Sequence, residues 1–214
     1  MRSVLTVTSP NSDTMLTTLA RVKLELDITG ADTQRDMLLN IKILEASDDI
    51  EAALGFTVRR ETVSETFWHE ASDYAPEYLV LDRTPVATLT SVTVDDIPAD
   101  ASRHRLDAET GQLYALDPTG APGRWLFWKS IVVAYAGGYI LPAETGKTLP
   151  SGIEGACVEL MSDYWASKGR DPSVRSEDVP GVGAIQYWVG TVGDPGELPP
   201  RVVMKLARYR RVLV

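Results

Sequence analysis

Few residues of this chain have the types and spacing that metal binding or nucleophilic catalysis requires. The two histidines, His69 and His104, and the single cysteine, Cys157, lie in three separate segments. Transition-metal sites draw several His and Cys ligands from short, regular spacings, so the sequence predicts no metal and no cofactor. Cys157 has apolar neighbours at helical spacing, and we expect a small buried side chain rather than a reactive thiol.

Adjacent acidic residues are the second candidate for chemistry. Asp95–Asp96 and Glu177–Asp178 could act as acid and base, and a hydrolase that uses carboxylates of the central region is one hypothesis. With 30 acidic residues in the chain, however, adjacent pairs are expected by chance. The Gly181-Val182-Gly183 sequence lacks the third glycine of a dinucleotide-binding loop. We therefore expect that the protein is not an enzyme.

The residues from 199 to 214 have the clearest pattern for binding. They include no acidic residue, although the whole chain has a net charge of −9. Pro200 suits the first turn of a helix. The basic residues of this segment are Arg201, Lys205, Arg208, Arg210 and Arg211. Apolar residues recur at helical spacing at Val202, Leu206, Tyr209 and Leu213. The pattern predicts a basic amphipathic helix, which would dock on a protein partner or serve as a nucleic-acid-binding module.

The elements that carry these residues follow an α–β–α order. A helix is expected after Asp13, and a longer one from Asp32 or Thr33 to about Leu54, where Gly55 can end it. The alternation then becomes that of β-strands, and six or so antiparallel strands are expected between 56 and 140. We therefore predict an α+β fold. Its helical core of about four helices comprises residues 1–55 and 149–214, with an antiparallel β module inserted at 56–140.

The stretch Leu149–Trp188 joins a predicted helix to a long arm. Ser151 and Glu154 have the spacing of a capping box at the start of this helix. From Arg170 onward the sequence is polar, then interrupted by glycines, then aromatic. Aromatic residues are enriched in interface cores, so we expect the arm to reach neighbouring copies of the chain. The expected intersubunit residues are Val174, Val179, Ile185, Tyr187 and Trp188.

Six segments share an order and spacing with one known family. LARVKLELDI followed by DMLLNIKILEASDDIEAALG is similar to its opening pair of helices, and RTPVATLTSVTVDD is similar to one of its strands. LDAETGQLY and IVVAYAGGY are similar to its hairpin and a later strand, and the segment Leu149–Trp188 is similar to its most characteristic part. The chain thus resembles the head–tail connector, or adaptor, proteins of long-tailed phages and gene transfer agents. The doubled Gly137–Gly138 departs from the family pattern.

The resemblance implies a virion structural protein without catalytic activity. Such a head–tail adaptor forms a ring of about twelve copies between portal and tail, and DNA passes through the lumen without sequence-specific binding. The implied partners are further copies of the chain, the portal protein, and a tail stopper or tail-terminator protein. The implied location is the head–tail interface of a virion made in the bacterial cytoplasm, with no membrane. The expected portal-docking residues are Arg201, Lys205, Arg208, Tyr209, Arg210 and Arg211.

Overall fold

The computed structural model describes residues 2–68, 75–126, 128–168, 176–179, 183–186 and 198–210, and only the backbone at 176–179 and 183–186. The chain divides into two compact units. The β unit comprises the residues up to Asp13 and the described part of Phe56–Ile140. The helical unit comprises Thr14–Gly55 and the described part of Leu141–Val214. The described α-helices all lie in the helical unit, and most of the antiparallel strands lie in the β unit, so the predicted α+β class is confirmed.

The described part of the helical unit contains four α-helices: α1 (Leu19–Glu25), α2 (Thr33–Leu54), α3 (Ser151–Ser167) and α4 (Pro200–Leu206). Both ends of α2 are those predicted. The carboxylate of Asp32 accepts hydrogen bonds from the backbone N–H groups of Gln34 and Arg35, each at 3.1 Å. At the other end, Gly55 adopts the left-handed conformation with φ of 76°, which glycine tolerates without steric penalty.

Helix α1 is shorter than predicted. Thr18 caps it, because its side-chain oxygen accepts a hydrogen bond from the backbone N–H of Arg21 at 3.2 Å. Leu16 precedes the helix and is fully buried, and its N–H donates to the hydroxyl of Ser47 in α2 at 3.0 Å. The apolar position that suggested a further helical turn is therefore satisfied by an irregular segment packed on α2.

The capping box expected at the start of α3 is not formed. Pro150 is the N-cap residue and provides no side-chain cap, while the carboxylate of Glu154 forms an ion pair with Lys147 instead. The helix ends at Ser167, and Lys168 places its ammonium group 4.8 Å from the centre of the Trp165 ring. As the N-cap residue, Pro150 has no backbone N–H that the Glu154 carboxylate could accept from, so a capping box cannot close here.

The described part of the β unit contains eight strands in two sheets. The strands are β1 (Arg2–Ser9), β2 (Glu61–Trp68), β3 (Tyr78–Val80), β4 (Val86–Val94), β5 (Ile97–Pro98), β6 (His104–Asp107), β7 (Gln112–Ala115) and β8 (Ser130–Gly137). A five-stranded sheet has the order β1-β2-β8-β4-β5, a three-stranded sheet has the order β3-β7-β6, and neighbouring strands are antiparallel. Both sheets contribute side chains to one apolar core, for example Phe67, Leu113 and Val133.

The N-terminal strand lies in a different unit from the one assigned to it by sequence. Residues 1–55 were assigned to the helical core, but β1 pairs with β2 along its length, with Val4 opposite Thr66 and Leu5 opposite Glu65. Strand pairing brings together residues far apart in the chain, so the alternation within Ser3–Thr8 predicted a strand without identifying its partner. This strand is an edge of the five-stranded sheet and is exposed at nearly every position.

The doubled glycine at the end of β8 is required by close backbone packing. A Cβ atom on Gly137 would lie 2.1 Å from the carbonyl oxygen of Arg83. Gly138 has φ of 102°, and a Cβ there would lie 2.3 Å from the carbonyl oxygen of Arg59. Two backbone segments therefore approach β8 where any side chain would collide, which gives this departure from the family pattern a steric reason.

Within the described ranges, no helix is both long enough and apolar enough to cross a membrane.

Replacing Gly137 by Ala should lower the free energy of unfolding by about 2–3 kcal/mol, because the new methyl group meets rigid backbone. Gly123→Ala is the control, since its Cβ would have its nearest neighbour at 3.7 Å, an ordinary contact. Chemical denaturation followed by tryptophan fluorescence measures both variants. Equal stability of the two variants would contradict the steric argument.

Candidate functional site

Helix α4 lies on α3 and belongs to the folded helical unit. Pro199 is the N-cap residue of α4, Pro200 lies in its first turn, as the sequence predicted, and a 3-10 turn at Ala207–Tyr209 follows. The side chains of Val202 and Leu206 face inward and are buried. Burial of each contributes roughly 1.5–3 kcal/mol. The basic C-terminal segment is therefore not a free tail as far as Leu206, because the buried side chains of Val202 and Leu206 hold it on the helical unit.

Acidic side chains of α3 pair with the first two basic residues of α4. The guanidinium Nε of Arg201 lies 3.1 Å from a carboxylate oxygen of Glu159, and the same guanidinium contacts Asp163. The ammonium group of Lys205 contacts the other oxygen of Glu159. Both basic side chains remain about half exposed, so each pair contributes roughly 0–1 kcal/mol. These pairs fix the direction of α4, while the apolar anchors supply most of its binding energy.

The far end of α4 closes over the start of α3. A Cβ on Gly152 would lie 2.5 Å from both the Arg208 guanidinium and the Tyr209 hydroxyl, so the absence of a side chain there lets both approach. Arg208 lies 4.7 Å from the centre of the Tyr209 ring. Arg210 donates a hydrogen bond to the carbonyl oxygen of Ala53 in α2 at 3.1 Å. We call the surface formed by Gly152, Glu159, Asp163 and the Ala53 carbonyl the α4 seat.

The structure brings together five of the six residues expected to dock on the portal. Arg201, Lys205, Arg208, Tyr209 and Arg210 lie on the helical unit and contact it or one another, and Arg211 lies outside the described residues. Glu159 and Asp163 neutralise the positive charges of Arg201 and Lys205. A nucleic acid that bound this helix would have to compete with Glu159 and Asp163 for Arg201 and Lys205.

The arm contains a hairpin that sequence reasoning missed. Strands β9 (Ser176–Val179) and β10 (Gly183–Gln186) pair antiparallel as a separate two-stranded sheet. Of the expected intersubunit residues, Val179 and Ile185 fall in these strands, and their side chains are not described. Val174, Tyr187 and Trp188 lie outside the described residues. The signal for the hairpin was the turn-forming dipeptide Pro180–Gly181.

A second apolar face of α2 was also missed. Met37, Ile41 and Leu44 recur at i, i+4 and i+7 and are exposed. They lie on the side of the helix opposite its buried stripe of Leu39, Ile43, Ala46 and Ile50. A surface helix usually has a polar outer face, so this exposed apolar stripe departs from the usual pattern.

Two carboxylates are buried in the β unit, but they are not arranged as an acid–base pair. Glu61 and Glu65 point to the same face of β2 and are separated by about 13 Å along it, beyond the roughly 5–10 Å of carboxylates that act together. Glu61 accepts hydrogen bonds from Arg83 at 3.0 Å and from Arg59 at 3.3 Å. Each carboxylate is thus engaged by neighbours of its own.

A hydrogen-bond network holds the second of these carboxylates. The Tyr135 hydroxyl donates to Glu65 at 2.9 Å, and the backbone N–H of Asp82 donates to the same oxygen at 3.0 Å. The Tyr135 hydroxyl in turn accepts from the backbone N–H of Arg83 at 3.0 Å. Burial raises the pKa of Glu65 above its ordinary value, and burial together with the Glu65 charge raises the pKa of Tyr135. The network orders β2, β8 and the turn at Asp82–Arg83.

The remaining sequence candidates for chemistry include Cys157 and the two histidines. Cys157 is buried, as predicted, and burial raises the pKa of its thiol to about 12, so it is protonated at neutral pH. Burial lowers the pKa of His104, and His69 lies outside the described residues. A depression of about 490 Å³ beside β6 and β7 is lined by one carboxylate, Asp107. The described residues include no group of His, Cys, Asp and Glu that could hold a metal ion.

Solved structures of one kind of particle contain chains with this fold. A chain in the neck of an empty GTA particle, computed with C6 symmetry, matches with a TM-score of 0.59 at 17% identity, covering 99% of this chain and 97% of that chain. A chain in the neck of a native GTA particle, computed with C12 symmetry, matches with a TM-score of 0.54 at 18% identity, again covering 99% and 97%. The present chain shares its fold with chains of gene transfer agent necks.

A chain from the virion of a native gene transfer agent (GTA) particle has the same fold, with a TM-score of 0.56, 17% identity and coverage of 98% and 96%. No protein-family model matches the chain, and no curated protein is similar to it in sequence. The likeness spans both units, so the fold implied by the resemblance to head–tail connectors is confirmed over nearly the whole chain.

Truncating Leu206 to Ala should lower the free energy of unfolding by about 2–4 kcal/mol, because its side chain is 1% exposed against α3. Met204→Ala is the matched control on the same helix, where the side chain is 77% exposed, and it should change stability by less than about 0.5 kcal/mol. Urea denaturation measures both. A wild-type stability for Leu206→Ala would mean that α4 is not part of the folded unit.

The stability of the β unit should fall as pH rises through the window above 4.5, the ordinary pKa of Glu65. The folded state holds the Glu65 proton more tightly than the unfolded state does, so deprotonation favours unfolding. In Glu65→Gln this part of the pH dependence should disappear. Thr66→Val, on the opposite face of the same strand, removes no titratable group and should keep it. Parallel stability–pH curves for Glu65→Gln and the wild type would contradict this account.

Proposed function

We propose that the chain is a structural protein of a virion neck, a head–tail adaptor that forms a ring between portal and tail. The observation that carries this proposal is the agreement in fold, over 96% or more of both chains, with chains of GTA necks and virions. Two of those necks were computed with C6 and C12 symmetry, and a ring of twelve copies is compatible with both.

The surface of the helical unit supports assembly into a ring. A cyclic ring needs two different faces on each subunit, one for each neighbour. The exposed stripe of Met37, Ile41 and Leu44 is an apolar surface that the helical unit does not cover itself. The arm, with Val174, Val179, Ile185, Tyr187 and Trp188, is our candidate for the contact with an adjacent copy.

The charge of the chain supports a conduit for DNA. A net charge of −9 gives phosphate groups little to bind, so DNA would pass through such a ring without being held. The alternative, a nucleic-acid-binding module acting through α4, is less favoured, because Glu159 and Asp163 already pair with Arg201 and Lys205.

The basic end of the chain is our candidate for the portal contact. Arg201 and Lys205 stay about half exposed, so they can face a partner while they pair with α3. Arg208, Tyr209, Arg210 and Arg211 complete this proposed surface. Deleting all of 199–214 is a poor test, since it also removes the buried Val202 and Leu206. Surface substitutions test the contact without removing those anchors.

Native mass spectrometry and electron microscopy of the full chain, alone and with its portal protein, test the proposal. The wild type should form a ring and join the portal. Replacing Tyr187 and Trp188 by Ala should reduce the ring, since it removes the aromatic anchors of the arm. Replacing Arg211 by Ser removes a basic residue that is not among the contacts of the α4 seat, so it should leave the ring and weaken portal binding several-fold. A chain that stays monomeric both alone and with the portal would refute the adaptor assignment.

A further inference from the structure

The α4 seat fixes the direction in which α4 lies. Arg201, in the first turn of α4, contacts Asp163 near the end of α3, and Lys205 contacts Glu159 one turn earlier in α3. Arg208 and Tyr209 then close on Gly152 in the first turn of α3. The two helices are therefore antiparallel, and α4 begins beside the place where α3 ends.

The connection between the two helices is far longer than this geometry requires. Antiparallel neighbouring helices are usually joined by about 2–8 residues. Here the residues between Lys168 and Leu198 number 29, from 169 to 197. A chain of that length can span up to about 100 Å when extended. The hairpin β9–β10 within it pairs only with itself among the described strands.

The contacts in the α4 seat specify a helix and not the chain to which that helix belongs. Burial of Val202 and Leu206, the ion pairs to Glu159 and Asp163, and the approach to Gly152 are all made between α4 and the seat. The α4 of an adjacent copy would make the same contacts. Exchange of an identical element between protomers is a low-cost route to an oligomer, and a long connection permits it.

We propose that in the assembled ring α4 of each copy occupies the α4 seat of the next copy. This exchange rests on the proposed function, because it needs a neighbour held at fixed distance. The occupant is a second copy of this chain, delivered by the 29-residue connection. The connection of each subunit then extends to the next subunit, and α4 at its end packs in the α4 seat of that neighbour. One exchange per interface closes a head-to-tail ring.

Zero-length cross-linking distinguishes a seat filled by its own chain from one filled by a neighbour. Lys205 contacts the carboxylate of Glu159. A carbodiimide activates that carboxylate, the neutral Lys205 amine attacks the activated carbonyl carbon, and the urea leaves as an amide bond forms. Rings assembled from an equal mixture of ¹⁴N-labelled and ¹⁵N-labelled full chains are cross-linked and digested, and the linked peptides are weighed.

We expect linked peptides with mixed labels to be as frequent as those with a single label, and covalent dimers and larger ladders on denaturing gels. Lys205→Arg keeps the positive charge but offers no amine to couple, so these products should vanish. Linked peptides of one label only, in chains that run as monomers, would overturn the exchange. If ring mass is present in that sample, the adaptor proposal stands, whereas absence of any ring refutes both.

Charge exchange between two variants gives an independent test. A seat variant carries Glu159→Lys and Asp163→Lys, and a helix variant carries Arg201→Glu and Lys205→Glu. Each places like charges between α4 and α3, so each alone should lose ring formation. In a mixture, neighbour exchange pairs the wild-type helix with the wild-type seat and the reversed helix with the reversed seat.

The fraction of chains found in rings should therefore be the same for the mixture as for a single chain that carries all four substitutions. That four-substitution chain has matched charges in either arrangement and is the folding control. If the control assembles and the mixture does not, each helix lies in its own seat and the exchange is wrong.

Discussion

Helix α3 must be covered on nearly every side, and the helical unit is arranged to meet that requirement. Among its residues only Ser151 and Ala166 are exposed. A helix that is apolar around most of its circumference is stable in water only when other elements surround it. Helices α1, α2 and α4 all pack against α3. Since α4 comes from the far end of the chain, the C-terminal segment has to reach an α3 before the unit is complete.

Local signals in the sequence predicted most of the helices and strands, but the sequence did not show which distant segments pair. Asp32 and Gly55 predicted both ends of α2 because a helix cap depends on neighbouring residues alone. Strand β1 was predicted as a strand and assigned to the wrong unit, since nothing within eight residues reveals a partner some sixty positions away. The start of α1 was missed because burial of Leu16 resembles a helical position in sequence.

The α4 seat had a readable signal that was overlooked. Glu159 and Asp163 are four residues apart, as are Arg201 and Lys205, so each pair lies on one face of its helix. Opposite charges at the same spacing on two amphipathic helices predict that the helices pack together. The basic residues were instead interpreted as a surface for an external partner. Gly152, by contrast, gave no signal, because its role appears only when the side chains above it are placed.

The buried carboxylates of the β unit illustrate a different limit. From sequence, Glu61 and Glu65 are ordinary polar positions of an alternating strand. The structure turns them inward, where Arg59, Arg83 and Tyr135 satisfy their oxygens. Burial of charge is costly, and partners of this kind offset the cost and select one arrangement of the strands. Buried carboxylates such as Glu61 and Glu65 would suggest catalysis if they lined a pocket, but here they help to fix the pairing register of β2 and β8.

The interleaving of the two units in the chain determines when each can be completed during synthesis. Strand β1 is made before its partner β2, which follows only after the whole of α1 and α2. Helix α2 cannot pack on α3 until α3 has been made, and the cover of α3 ends with Leu206, the last residue of α4. Domains generally fold as units as the chain emerges, so the helical unit closes last. A chain interrupted anywhere before α4 therefore cannot supply the final cover of α3 itself.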